Sequence, residues 1–458
     1  MTRTFDAIIV GAGQAGPALA GRLTAAGKHV AIIERHLVGG TCVNTGCKPT
    51  KTLVASAYAA HLARRGAEFG VGVGSVTIDM PTVAARARQV ILDARMGNED
   101  WLAGMPGLSL IRGHARFVGP RRIEVDGEAL EAAQVFLNVG GRAQVPDFPG
   151  LDGVDFLTNS TIIPLETLPA HLVVVGGSYI GLEFAQMYRR FGCEVTVVEK
   201  GPRLVAHEDE DVSAAIRAFL EAEGIAVRTD ACCITVHTDP AGVRVGVDCR
   251  EGAPHVTGSH VLLAVGRRPN TDDLGLPAAG IATDERGYII VDDHLRTTAD
   301  GVWAMGDCNG KGAFTHTAWN DYEIVAANLL DGAARKVSDR ILGYALYVDP
   351  PLGRVGMTET QARSSGRPLL VSKRPMSRVG RAVEKGETLG FMKLVADAQT
   401  KQILGAAILG VGGDEAIHGI LDMMNARADI DTLQWAVPIH PTVSELIPTL
   451  VGDFQPVA

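Results

Sequence analysis

The chain has 458 residues, of which 46% are hydrophobic and 21% charged, with a formal net charge of -9 and seven cysteines. That length suits about three domains, and an acidic balance without a long basic run argues against nucleic acid or anionic membrane as the main partner. No apolar run approaches the roughly 18 residues of a membrane-spanning helix, and an odd number of irregularly spaced cysteines argues against a secreted disulfide framework.

In chain order, Phe5-Asp6-Ala7-Ile8-Ile9-Val10 reads as a buried strand, which leaves no room for an export signal and predicts a cytoplasmic protein. It runs into Gly11-Ala12-Gly13-Gln14-Ala15-Gly16, a helical pattern, and a second strand, His29 to Ile33, that ends in Glu34. The same pattern returns as Leu172 to Val175, Gly176-Gly177-Ser178-Tyr179-Ile180-Gly181, and a strand from Glu194 to Val198 that ends in Glu199. Glycines allow a tight turn and close approach of backbone N–H groups to a pyrophosphate. The helix N-terminus adds favourable partial charge, and the acid about 20 residues on accepts hydrogen bonds from ribose hydroxyls. Two copies, each with its strand and acid, are far more specific than one, and predict two dinucleotide sites. Ser178 replaces the middle glycine of the second copy, with a side chain small enough for the same approach. Glu199 repels a 2′-phosphate and so predicts NADH over NADPH, with Lys200 and Arg203 as nearby opposing cations.

Between the two units stands Gly39-Gly40-Thr41-Cys42-Val43-Asn44-Thr45-Gly46-Cys47-Lys48-Pro49-Thr50-Lys51, leading into a helical pattern. A thiol at a helix N-terminus beside Lys48 and Lys51 has a lowered pKa, which favours the thiolate needed for exchange. No second pair stands at zinc-ligand spacing, so no metal site is expected. The vicinal Cys232-Cys233 falls in a strand-like stretch and reads as structural, while Cys193, Cys249 and Cys308 read as packing residues. Gln134 to Gly141 and His260 to Pro269 read as strands that carry the chain between domains. Gly301 to Cys308 is a strand ending in Gly306-Asp307. Beyond about residue 340, strands such as Gly390 to Val395 alternate with helices, as around Glu415 to Ala428, which predicts an α+β domain. Near the C-terminus stand His440 and Glu445; imidazole exchanges protons near neutral pH and a carboxylate can orient it, but the spacing taken alone is that of an ordinary surface pair.

On these motifs the chain resembles the flavin-dependent pyridine nucleotide-disulfide oxidoreductases of the glutathione reductase and dihydrolipoamide dehydrogenase group, over essentially its whole length. The resemblance implies an α/β fold with two Rossmann-like domains and a C-terminal α+β dimerisation domain. The FAD domain would comprise 1–145 and 266–338, the NAD(P) domain 146–265 and the dimerisation domain 339–458. It implies FAD bound through Gly11, Gly13, Gly16, Glu34, Gly40, Thr41, Lys51, Ala115 and Gly140, with Asp307 on the ribityl chain. NAD(P) would lie along Gly176, Tyr179, Ile180, Gly181, Glu199 and Gly266. Cys47 matches the thiol beside the flavin and Cys42 the interchange thiol that meets substrate. Lys51 and Glu183 match a pair near the flavin N5 edge, and Tyr179 matches the aromatic gate over the flavin. His440 and Glu445 match the acid-base dyad that reaches the cysteine pair of the other subunit, which implies a homodimer with shared active sites.

The segment around Thr45 and Pro49-Thr50-Lys51, with Gly312-Ala313-Phe314-Thr315-His316-Thr317, looks like proteins often called mercuric reductases. Those carry a vicinal cysteine pair near the C-terminus and lack the dyad's His. Here the tail has no cysteine, no metal-binding domain precedes Thr4, and His440 is retained. The expected acceptor is therefore a low-molecular-weight disulfide or a metal ion, as in the bacterial cupric reductases tied to reactive-chlorine defence. The alternatives are dihydrolipoamide dehydrogenase, against which Lys48 and Tyr179 stand, mercuric reductase, and a non-enzymatic FAD-binding redox sensor, against which the intact Cys42, Cys47 and His440 stand.

Overall fold

A computed structural model describes residues 2–248 and 252–457, so Cys249 lies outside the described residues. The first sheet is built on Arg3–Val10, flanked on one side by Val30–Glu34 and then Leu108–Arg112, all parallel. On the other side lies the long strand Glu128–Leu137. Its N-terminal half pairs with the antiparallel hairpin Ala115–Gly119 and Arg122–Val125, and its last turn-side residues pair in parallel with Val302–Ala304. Val30–Glu34 is buried at every position, as expected for a parallel strand with both faces covered.

The second nucleotide motif lies in a separate four-stranded parallel sheet: Ala226–Arg228, Glu194–Val198, His171–Val175 and His260–Leu263. An antiparallel three-stranded sheet, Cys232–Asp239, Gly242–Asp248 and His255–Gly258, packs its valines against it. The two crossing segments meet: Gly141–Ala143 pairs antiparallel with Arg267–Pro269. From Gly343 onward the chain forms a six-stranded antiparallel sheet. Its central strands, Phe391–Asp397 and Ile403–Leu409, are fully buried beneath the helix Gly413–Asn425. Among the described residues, no helix is long and apolar enough to cross a membrane.

One expectation is corrected. Cys232 and Cys233 begin a strand, but both are exposed. The ladder slips between Cys232 and Thr235, and Cys233 has φ 53°, in the left-handed region. A bulge of this kind breaks the strict in-out alternation that would have packed one of the two inside. Cys193 and Cys308 are buried, as read.

Candidate active site

The two glycine turns share one construction. Gly11 and Gly176 have φ of 102° and 116°, and a Cβ on either would stand 2.3 Å from a carbonyl oxygen, that of Asn138 or Ala264. Gly16 and Gly181 let the helix press on the turn, where a Cβ would meet the carbonyls of Gly11 and Gly176 at 2.3 and 2.0 Å. The carboxylates that follow are bracketed identically. Glu34 accepts from the N–H groups of Ala12 and His36, both at 2.8 Å. Glu199 accepts from Gly177 at 2.6 Å and Gly201 at 2.7 Å. Each oxygen spends one lone pair on backbone and keeps another free to accept a further hydrogen bond.

The first turn has the close backbone approaches that fit a dinucleotide. Gly40, at φ 61°, lies so close to Gly13 that a Cβ would be 2.9 Å from the Gly13 Cα. Asp307 is held above the usual carboxylate range by burial, against the pull of Arg267, whose Nη2 is 3.5 Å from its Oδ2. A half-buried carboxylate so weakly partnered fits the hydroxyl-rich chain of FAD. Arg267 also donates to the Gly141 carbonyl, pinning the two crossings together beside this site. Ala115 begins the hairpin strand, and Gly140 and Gly266 take positive φ at the crossings.

Cys47 is the first residue of the helix Cys47–Arg65, and Cys42 lies in the short helix Gly40–Asn44. Both thiols are free. The Cys42 thiol hydrogen-bonds to Cys47, and this bond, then the Thr315 hydroxyl at 3.3 Å and the Lys51 charge, lower the Cys47 pKa to about 6. The same bond and burial push the Cys42 thiol strongly upward. The pair is thus a thiol donating to a thiolate. The expectation of a lowered pKa holds for Cys47, where the helix N-terminus also favours the anion.

Lys51 and Glu183 meet: Nζ is 2.7 Å from Oε2. Glu183 is buried, and its other oxygen accepts from the Tyr347 N–H at 3.0 Å, while the Lys51 ammonium lies 4.5 Å from the centre of the Tyr347 ring. Lys51 is one turn after Cys47 on its helix, and Glu183 one turn after Tyr179 on the helix Tyr179–Phe191. The ion pair therefore brings Cys47 and Tyr179 to the same end of two crossing helices. Ile180 is half-buried beside Tyr179.

His440 and Glu445 are joined, Nδ1 to Oε2 at 2.8 Å, in a tail segment where the imidazole is 81% exposed. Glu445 fixes the proton on Nδ1 and leaves Nε2 for proton exchange. Around it Trp435, Val437 and Ile439 are 79%, 95% and 80% exposed, an apolar strip on one chain. Sequence reasoning missed the contacts of Thr315, Arg267 and Tyr347. Arg267 had a signal, since it follows the Gly266 crossing directly.

This geometry, a thiol–thiolate pair between two dinucleotide turns, defines a flavoprotein disulfide oxidoreductase. Residues 5–321 match the pyridine nucleotide-disulphide oxidoreductase family and residues 343–451 its dimerisation domain, and the chain belongs to that family. It is 36% identical to the probable pyridine nucleotide-disulfide oxidoreductase RclA of Escherichia coli, over 96% of this chain and 97% of that one. It is 33% identical to a mercuric reductase of Bacillus cereus, over 98% of this chain and 72% of that one. Among solved structures it is similar to the Cu(II) complex of the E. coli HOCl-induced flavoprotein disulfide reductase RclA, with a TM-score of 0.89 and 34% identity over 98% and 99% of the two chains. The chain is an oxidoreductase of this flavin-dependent class.

Proposed function

We propose that this enzyme is an NADH-dependent homodimer that reduces a low-molecular-weight disulfide, through Cys42 and Cys47, with His440 of the partner subunit as acid and base. The observation that carries the reading is the proton distribution at the cysteines. Cys47 rests as a thiolate, whereas Cys42 holds its proton and needs a base before it can attack. The His440–Glu445 pair supplies such a base. It stands exposed beside an apolar strip, which favours burial against a second copy.

In the oxidative half-cycle of the enzyme Cys42 loses its proton to His440 and attacks the substrate disulfide. One thiolate leaves and takes the proton back from His440. Cys47 thiolate then attacks Cys42 in the mixed disulfide, releasing the second thiolate, which takes a proton from solvent, and closing the Cys42–Cys47 disulfide. The dithiol is oxidised by two electrons and the substrate disulfide is reduced by two. Gly11, Gly13, Gly16, Glu34, Gly40, Thr41, Ala115, Gly140 and Asp307, with Lys51, would hold FAD, which would supply the two-electron link from nicotinamide to the thiol pair. The nucleotide takes Gly176, Ile180, Gly181, Glu199 and Gly266. Glu199, bracketed by two N–H groups, favours free ribose hydroxyls, and Arg203 donates to the Ala206 carbonyl instead of opposing it. A cycling free thiol pair suits the reducing cytoplasm.

A metal ion taken by the same thiol pair is the second reading, favoured by the E. coli relative solved with Cu(II). Among the described residues no cluster of three His, Cys, Asp or Glu is placed to hold a metal ion, which leaves the thiols as the soft donors. Steady-state turnover separates the readings. NADH and NADPH are each paired with small disulfides, lipoamide, Cu(II) and Hg(II). NADH with a small disulfide is expected to dominate, Cu(II) or Hg(II) dominance selects the second reading, and exclusive lipoamide turnover overturns both.

A further inference from the structure

Cys232 and Cys233 take no part in the chemistry of Cys42 and Cys47, yet the backbone holds both of their thiols in solvent. Ile234 and Val236 turn into the core, at 7% and 0% exposure, and strict alternation would place Cys232 with them. Instead the ladder slips between Cys232 and Thr235, Cys233 takes φ 53°, and both side chains are exposed. The Cys232 thiol donates to the Asp248 carbonyl at 3.2 Å. Two accessible thiols on neighbouring residues thus stand together at the start of this strand.

Their spacing decides what such a pair does. Neighbouring Cα atoms are about 3.8 Å apart across a trans peptide, less than the roughly 4.4–6.8 Å that a disulfide spans. A sulfur–sulfur bond between them is strained, so the pair persists as a dithiol. A metal ion with two thiolate bonds of roughly 2.3 Å holds the sulfurs farther apart and avoids that strain. Among the described residues no third His, Cys, Asp or Glu completes a metal cluster here. That disfavours an ion that needs four ligands and leaves a soft ion that accepts two sulfurs, of which Cu(I) is the type.

The pair is also laced to the second nucleotide turn. Immediately before it, the Ala231 N–H donates to the Glu199 carbonyl at 3.0 Å, and the Asp230 N–H to the Gly201 carbonyl at 2.9 Å. Glu199 and Gly201 are themselves joined, carboxylate to N–H, at 2.7 Å. The two thiols therefore follow directly on a segment hydrogen-bonded to the acid that closes the turn.

We infer that Cys232 and Cys233 form a two-thiolate site for a soft monovalent ion such as Cu(I), set against the adenosine end of the second turn so that ion and nucleotide oppose each other. On binding, two S–H bonds break, their protons pass to solvent, and two sulfur–metal bonds form, with no change of oxidation state. The neutral dithiol becomes a singly negative centre, which repels a pyrophosphate. The opposition rests on the reading of the second turn as the nicotinamide nucleotide site; the ion site itself does not.

For the test, Cu(I) is offered anaerobically as its coloured bicinchoninate complex to the FAD-loaded Cys42→Ser/Cys47→Ser enzyme, in which the active-site thiols cannot compete. One Cu(I) per chain should be taken up. Adding Cys232→Ser or Cys233→Ser should lower the affinity by about 10²-fold or more, because the second thiolate acts at high effective concentration. Both side chains are exposed, so neither change disturbs the core. NAD⁺ binding to the same enzyme is then measured by calorimetry with and without one equivalent of Cu(I). The ion should weaken it by about fivefold or more, and should have no effect once Cys232→Ser is added. No uptake, or uptake that survives both single changes, overturns the ion site. Uptake with unchanged NAD⁺ affinity overturns the opposition. If NAD⁺ does not bind even without Cu(I), the nucleotide reading fails, and the uptake still decides the ion site.

Discussion

Replacing Thr315 by Val tests how the Cys47 thiolate is held. The hydroxyl lies 3.3 Å from the Cys47 sulfur and, after the Cys42 thiol, is the next of the groups that bring its pKa to about 6. Valine keeps the shape and removes the donor. A hydrogen bond to a charged group contributes about 1.5–3 kcal/mol, and one pH unit is about 1.4 kcal/mol. The sulfur is solvent-accessible, so the lower end applies, and the midpoint should rise by roughly one unit. The sign is fixed: a lowered pKa means the thiolate persists above the midpoint and is lost as pH falls through it. The assay is the iodoacetamide alkylation rate of the reduced enzyme against pH, with peptide mass spectrometry assigning the label. Wild type should alkylate at Cys47 with a midpoint near 6, below which the rate drops about tenfold per unit. Thr315→Val should move that curve to higher pH, and Thr315→Ser should restore it. An unmoved midpoint, or Cys42 reacting first in mild acid, would refute the assignment of the thiolate and of Thr315 as its donor.

Other expectations follow from the same contacts. Lys51→Met strands the buried Glu183 carboxylate and should cost roughly 2–3 kcal/mol of stability in thermal or denaturant unfolding, much of it regained in Lys51→Met/Glu183→Gln. His440→Ala should lower disulfide turnover by about 10²-fold or more while stopped-flow reduction by NADH keeps its rate, because the dyad serves only the thiol half. Gly11→Ala should yield protein without flavin absorbance, since its Cβ would sit 2.3 Å from the Asn138 carbonyl. In the native reduced enzyme, maleimide should label Cys232 and Cys233 quickly, with Cys193 and Cys308 labelled only after unfolding. Protection of Cys232 and Cys233 would contradict the bulge geometry.

What was legible in the sequence is what is local. A glycine turn, its strand and the acid that closes it lie within about 25 residues, and their chemistry reads directly from residue type and spacing. Both turn-and-acid units were anticipated in this way, though not the N–H groups that bracket each carboxylate, and so was a thiolate at a helix start. The contacts that sequence did not reveal join distant segments: Thr315 to Cys47 across 268 positions, Tyr347 to Glu183 across 164, Arg354 to Glu208 across 146. Such pairs leave no periodic trace, because the fold and not the chain brings them together. Cys232-Cys233 was misread for another reason. Its strand-like surroundings suggested a structural pair, but a left-handed residue at the bulge leaves both side chains exposed.

The sheet of the first nucleotide unit has a consequence for how the molecule is made. Its strands begin at Arg3, yet the sheet is closed only when Val302–Ala304 pairs with the end of Glu128–Leu137. The parallel sheet of the second unit lies wholly between His171 and Leu263. During vectorial synthesis the inserted unit is therefore complete on the emerging chain before the unit that hosts it. The earlier strands, apolar on both faces, must wait roughly 165 residues for their last partner, at about 5–20 residues per second. That interval is the period in which the nascent chain most needs a chaperone, and in which a ribosome stalled between Leu263 and Val302 would leave an unfinished host around a finished guest.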